Sequence, residues 1–116
     1  MKIKTSELSG VALDWAVAMA VGLDPMYRMT IPGDSVVVTG GEKYQPSTNW
    51  GHGGPLIEQY RIHVDMMIYD DIVRYWEANI ADMSLYEIGD TPLEAVCRAI
   101  VSAKLGDEVD VPEGLV

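Results

Sequence analysis

Hydroxyl, amide, imidazole and indole groups crowd into one short run, Tyr44–Gln45–Pro46–Ser47–Thr48–Asn49–Trp50–Gly51–His52–Gly53–Gly54–Pro55. The hydroxyls of Tyr44, Ser47 and Thr48, the Asn49 amide and the His52 imidazole can each donate and accept hydrogen bonds. Trp50 offers a flat apolar face, and Gly53 and Gly54 permit close backbone approach. Such a set suits a planar or anionic small ligand, or a peptide. The glycines and prolines argue against a regular helix or strand interior. The run therefore reads as an ordered surface loop, where binding residues concentrate. Tyr44, Pro46, Ser47, Thr48, Asn49, Trp50, His52, Gly53 and Gly54 are the candidate contact residues. The plainer reading is that Trp50 anchors the loop in the core while the polar side chains hydrogen-bond their own turn amides.

The other polar groups carry less. His52–Gly53–Gly54 resembles the oxyanion-hole segment of some esterases, but that segment works with a G-x-S-x-G nucleophile elbow, which this chain lacks. His52, His63, Asp65, Asp70 and Asp71 show none of the tight pairs of a metal site. His63 and Asp65 share one face of a strand pattern and read as solvated, and Asp70–Asp71 reads as a turn. Cys97 lies among apolar helix positions and reads as a protonated core thiol. Met19, Met26, Met29, Met66 and Met67 read as core fill, with an adaptable binding surface as the alternative. No catalytic set, metal set or cofactor motif stands out, and a binding protein is expected over an enzyme.

Bulk properties narrow the partners. A chain of 116 residues, 48% of them hydrophobic, suits a single domain (1–116) with a core that needs no metal or disulfide. Its formal net charge of −10 leaves eight scattered Lys and Arg, no patch for phosphate neutralisation. Direct nucleic-acid and anionic-membrane binding are not expected. The single cysteine forms no intrachain disulfide, which fits a reducing compartment. Met1–Glu7 does not read as a secretory leader, and the apolar run Val11–Leu23 contains Asp14 and is too short to span a bilayer. A cytoplasmic location is expected.

The elements that must position the loop follow from periodicity. Met1–Thr5 alternates as a short strand. Leu8, Val11, Ala12, Trp15, Ala18 and Met19 predict a helix over about Ser6–Val21, capped by Ser6 or Ser9 and stopped at Gly22. Because it is apolar nearly all round, this helix should be buried or covered by a second subunit, so a homo-oligomer is an open expectation. Tyr27–Ile31 and Ser35–Thr39 predict a hairpin through Pro32–Gly33–Asp34. Pro55 suits the first position of a single helical turn over Leu56–Tyr60. Arg61–Tyr69 predicts a strand, and Ile72–Ala81 is either a second hairpin strand or a helix. Thr91–Pro92–Leu93–Glu94 is a capping box opening a helix to Leu105, with Glu94 one turn from Arg98 and Gly106 as its stop. Val109 and Val111 could form a short edge strand. The predicted class is α+β, two main helices on a small, mostly antiparallel sheet.

Three separated stretches carry a family resemblance. They are Lys4–Leu8 leading into Ala12–Ala18; Tyr44, Pro46–Thr48, Trp50 and Gly53–Pro55; and Gly89–Leu93 with Ser102–Val109. In this order they closely resemble the NinX family of small proteins from lambdoid phages and prophages. Tyr27–Thr39 and Glu58–Tyr86 match less clearly. The resemblance implies a phage-encoded accessory protein of the nin region, acting in the cytoplasm of a bacterial host, and it transfers no chemistry. The expected role is binding a host or phage protein. The alternatives are small-molecule or nucleotide binding, and an acidic surface that mimics nucleic acid to block a basic protein.

Overall fold

The computed structural model describes residues 1–31, 34–80 and 85–115. Alternation at the start gives strand β1 (Lys2–Lys4), which pairs antiparallel with the tail strand β8 (Glu108–Asp110). The Met1 ammonium adds hydrogen bonds to Asp110 Oδ1 (2.9 Å) and to the Val111 carbonyl (3.0 Å), closing the chain ends into a clasp. The Thr5 hydroxyl is buried and donates to the Gly106 carbonyl at 2.6 Å.

That clasp corrects the first helix. The predicted start at Ser6 fails because residues 5–7 form a 3₁₀ turn tied to the tail, with the Thr5 amide donating to the Asp107 carbonyl at 2.8 Å. Helix α1 therefore spans only Gly10–Ala20. Ser9 occupies the N-cap position but makes no side-chain capping bond. Gly22 follows the helix at a φ of 83°, the left-handed stop expected there. Ala12, Leu13, Ala16, Val17 and Ala18 are buried within the chain, so α1 needs no second subunit to cover it.

Strands β2 (Met26–Ile31), β3 (Asp34–Thr39) and β4 (Glu42–Lys43) form one antiparallel sheet. The hairpin is as predicted, although the Pro32–Gly33 part of its turn lies outside the described residues. Gly40 and Gly41, at φ of 56° and 83°, turn the chain tightly into β4. A second sheet takes the order β5 (Ile62–Tyr69), β6 (Ile72–Ile80), β7 (Tyr86–Gly89). The ambiguous segment after Asp71 is thus a strand as far as Ile80, and Ala81 is outside the described residues. Asp70 and Asp71 both have positive φ, 54° and 62°, which matches the twist a two-residue hairpin turn requires.

Helix α3 (Pro92–Leu105) is the hub. Its capping box forms, with the Glu94 amide donating to Thr91 Oγ1 at 3.1 Å. The Glu94 carboxylate accepts from the Asp90 amide at 3.0 Å, one residue ahead of the usual reciprocal bond. Leu93 is buried beside Gly53, and Ala95, Val96, Cys97, Ala99, Ile100 and Val101 are buried between α1 and the β5–β6–β7 sheet. Truncating Ile100 to Ala there costs about 2–5 kcal/mol. The Cys97 thiol, pushed up by burial, stays protonated as expected.

The class is α+β, with two corrections. Among the described residues three separate antiparallel sheets replace one small sheet. A third helix, α2 (Trp50–Gln59), occupies the run read as a loop. Three of the methionines read as core fill depart from it: Met19, Met26 and Met66 are exposed, Met67 is partly buried, and the Met29 side chain lies outside the described part of the structure. Among the described residues no helix is long and apolar enough to cross a membrane.

Candidate functional site

Three glycines and an internal proline make Trp50–Gln59 a poor helix in isolation. Local bonding and packing override that propensity. Asn49 caps the helix, its side-chain oxygen accepting from the amides of Gly51 (2.8 Å) and His52 (3.3 Å). Its carbonyl accepts from the Gly53 amide at 2.8 Å. Gly53 lets the helix close on its neighbours: a Cβ there would collide with the Pro46 carbonyl oxygen and lie 2.8 Å from Leu93 Cδ2. Pro55 is therefore inside α2 and does not open it.

The segment before α2 is pinned from both sides. The Gln45 carbonyl accepts from the amides of Thr48 (3.2 Å) and Asn49 (2.8 Å), forming a tight turn. The Gln45 amide donates to His52 Nδ1 at 3.0 Å, so the neutral His52 ring carries its proton on Nε2. The Tyr44 and His52 rings lie 5.6 Å apart. Below the turn, the Ser47 amide donates to Asp14 Oδ1 at 2.9 Å, in the interior. Burial pushes the Asp14 carboxyl up to about 6, partly offset by its hydrogen bonds to Ser47. Tyr44 packs half-buried on the core, and burial pushes its phenol up to about 12.

The nine candidate residues divide into layers. Pro46, Ser47 and Gly53 are buried and structural; Tyr44, His52 and Gly54 are partly buried; Thr48, Asn49 and Trp50 face solvent. Trp50 is 57% exposed, which overturns the reading that it anchors the run in the core. Beside it lies a cleft of about 210 Å³ lined by Ser47, Thr48, Trp50, Thr91, Pro92 and Leu93. On the other side of Thr48 a second cleft, about 190 Å³, reaches Asp14 between Val11, Val36 and Gln45. Both are smaller than the roughly 300–1,000 Å³ of ordinary small-ligand pockets.

Several contributors were not singled out by sequence reasoning. Thr91, Pro92 and Leu93 were read only as a helix start, yet they wall the Trp50 cleft. Asp14 was noted as the polar exception of an apolar helix, a pattern that signals a buried bond, and it holds the Ser47 turn. Arg98 pairs with Glu94 one turn away as predicted, and it also braces the fold. Its guanidinium donates to the carbonyls of Leu8 (2.9 Å) and Ile88 (2.8 Å) and lies 3.2 Å from the Glu94 carboxylate. Among the described residues no group of three or more His, Cys, Asp or Glu side chains could hold a metal ion.

A family model described as "Bacteriophage P22, NinX" matches residues 4–104. No curated protein matches the chain. The matched bounds include Tyr27–Thr39 and Glu58–Tyr86, the stretches where the motif resemblance is weaker, and they take in α2 and both clefts. With nearly the whole chain matched, the protein belongs to the NinX family of bacteriophage P22.

Proposed function

We propose that this phage accessory protein acts by binding a host or phage protein in the bacterial cytoplasm, without catalysis, through the surface around Trp50. The observation that carries the reading is a large indole left 57% exposed at the first position of a braced helix. Exposed Trp on a rigid element is the kind of residue that dominates protein interfaces. Thr48 and Asn49 flank it with polar groups, and the Thr91–Leu93 cleft offers a partner side chain a recess. Ser47, Gly53, His52 and Tyr44 support this edge from beneath. The small size of both clefts favours a protein partner over a metabolite or nucleotide. Mimicry of nucleic acid would need a regular row of carboxylates. The exposed acids instead fall on separate elements, such as Glu58 on α2, Asp70–Asp71 at a hairpin turn and Glu108 on β8, which lends that reading no support.

The test is affinity capture from infected host cells with wild-type and Trp50→Ala protein. The reading expects a captured protein that the variant loses by at least about tenfold, the effect of ~1.4 kcal/mol at a hot spot. Full retention by a folded Trp50→Ala protein would show that the contact lies elsewhere.

A further inference from the structure

Asp14 holds a carboxylate to which the described residues supply no cation. It sits in the second turn of α1 and is only 5% exposed, yet it lines the cleft of about 190 Å³ across Thr48 from Trp50. Its partners are the Ser47 amide, 2.9 Å away, and the Ser47 side chain. The ion pairs among the described residues are Met1 with Asp110 and Arg98 with Glu94, and neither involves Asp14. An ionised carboxylate offers about four acceptor sites, so one neighbour satisfies it only in part. With its carboxyl at about 6, the group is mostly ionised at neutral pH. A buried charge without a counter-charge is costly, and a cation that reaches it recovers part of that cost.

The walls suit one kind of cation. Gln45, Thr48 and Ser35 add neutral side chains that can accept hydrogen bonds, and Val11 and Val36 are apolar. No other charged side chain among the described residues lines the cleft. Gly10 opens α1 at the same place, and a helix N-terminus contributes about half a positive charge, which leaves the full negative charge of Asp14 dominant. A guanidinium carries five N–H donors in one plane, enough for the carboxylate and the flanking oxygens together, and its methylene stem can lie along the two valines. An ammonium is a point charge with three donors and uses fewer of these acceptors. The volume fits one side chain better than a whole metabolite.

We propose that the Asp14 cleft is a binding site for a guanidinium group, the arginine side chain of the protein that Trp50 contacts. The source of that arginine rests on the Trp50 reading, whereas the guanidinium chemistry rests on the cleft itself. Thr48 lines both clefts, so a partner lying on Trp50 need cross only that residue to place an arginine over Asp14. The net charge of −10 favours the approach of a basic segment.

The test is an NMR amide-shift titration of the full chain at neutral pH. N-acetyl-arginine amide is the probe, and N-acetyl-citrulline amide, its neutral isostere, is the control. The expected result is saturable shifts of the Gln45, Ser47 and Thr48 amides with the arginine probe. Binding should be at least about tenfold weaker for the citrulline control and for Asp14→Asn, and unchanged in Trp50→Ala. Asp14→Asn keeps an oxygen for Ser47, and its amide spectrum away from the cleft reports whether it is folded. No saturable shifts, an equal response to citrulline, or unchanged binding by folded Asp14→Asn overturns the proposal. The protein captured from infected cells separates the two readings. If Asp14→Asn weakens its binding at least about tenfold and Trp50→Ala does not, the Trp50 reading fails and the arginine site stands. If Trp50→Ala weakens it and Asp14→Asn does not, the proposal fails and the Trp50 reading stands. Probe binding with no captured protein contradicts both the Trp50 reading and the assigned source of the arginine.

Discussion

Asp14 ties residue chemistry to the candidate surface. Its carboxyl accepts the Ser47 amide inside the protein, and desolvation raises it from an ordinary value of 3.8 to about 6. Between those values the folded chain holds a proton that the unfolded chain has released. Stability therefore falls as pH rises from about 4 to 6, and the contribution present below pH 4 is absent at pH 7. A shift of this size is worth on the order of 3 kcal/mol. Asp14→Asn removes the titration while keeping an oxygen for Ser47. Urea unfolding of both proteins from pH 3.5 to 7 should show the wild type losing stability relative to the variant across that window. A constant difference would mean that Asp14 does not titrate there. Trp50 belongs to the same scale: its type marked it in the sequence as a candidate contact, and only the fold decides that the indole points outward.

At the scale of elements, α2 separates what patterning reveals from what it hides. Several strands and the α3 cap were legible because their signals are local, whereas β4, β7 and the cap of α1 were not. Alternation marks β1 and β5, paired acids mark the β5–β6 turn, and Thr91 with Glu94 marks the start of α3. The last turn of helix α2, Leu56–Gln59, was legible, but its first half was not, because its stability comes from Asn49 capping and from Gly53 seated against Pro46 and Leu93, contacts remote from helix propensity. The same remoteness hid the wall that Thr91–Leu93 gives the Trp50 cleft. Two neighbouring glycines test this account in opposite directions. Gly53→Ala forces a Cβ into backbone and should cost about 1–3 kcal/mol. At Gly54 the nearest atom to a new Cβ is Trp50 Cε3 at 3.8 Å, ordinary contact. Gly54→Ala should therefore stabilise by up to about 1 kcal/mol through helix propensity. Thermal unfolding of the two variants reads the difference, and equal effects would argue against a helix at this place.

Over the whole molecule, one braced body carries the candidate Trp50 surface. Arg98 links α3 to Leu8 and Ile88, and the β1–β8 clasp holds the ends together, so the candidate contact edge stands on a rigid base. The acidic balance and lack of a basic patch were plain from composition. The exposure of the β5–β6 hairpin end was not, because exposure along a strand depends on what packs over it. The central claim is that Trp50 touches a protein partner, and the most direct measurement is photo-crosslinking in infected cells with a photoreactive aromatic residue at position 50. The account predicts one discrete adduct with another protein, absent when the same residue is placed at exposed Met26. No adduct from position 50, or the same adduct from both positions, would contradict it.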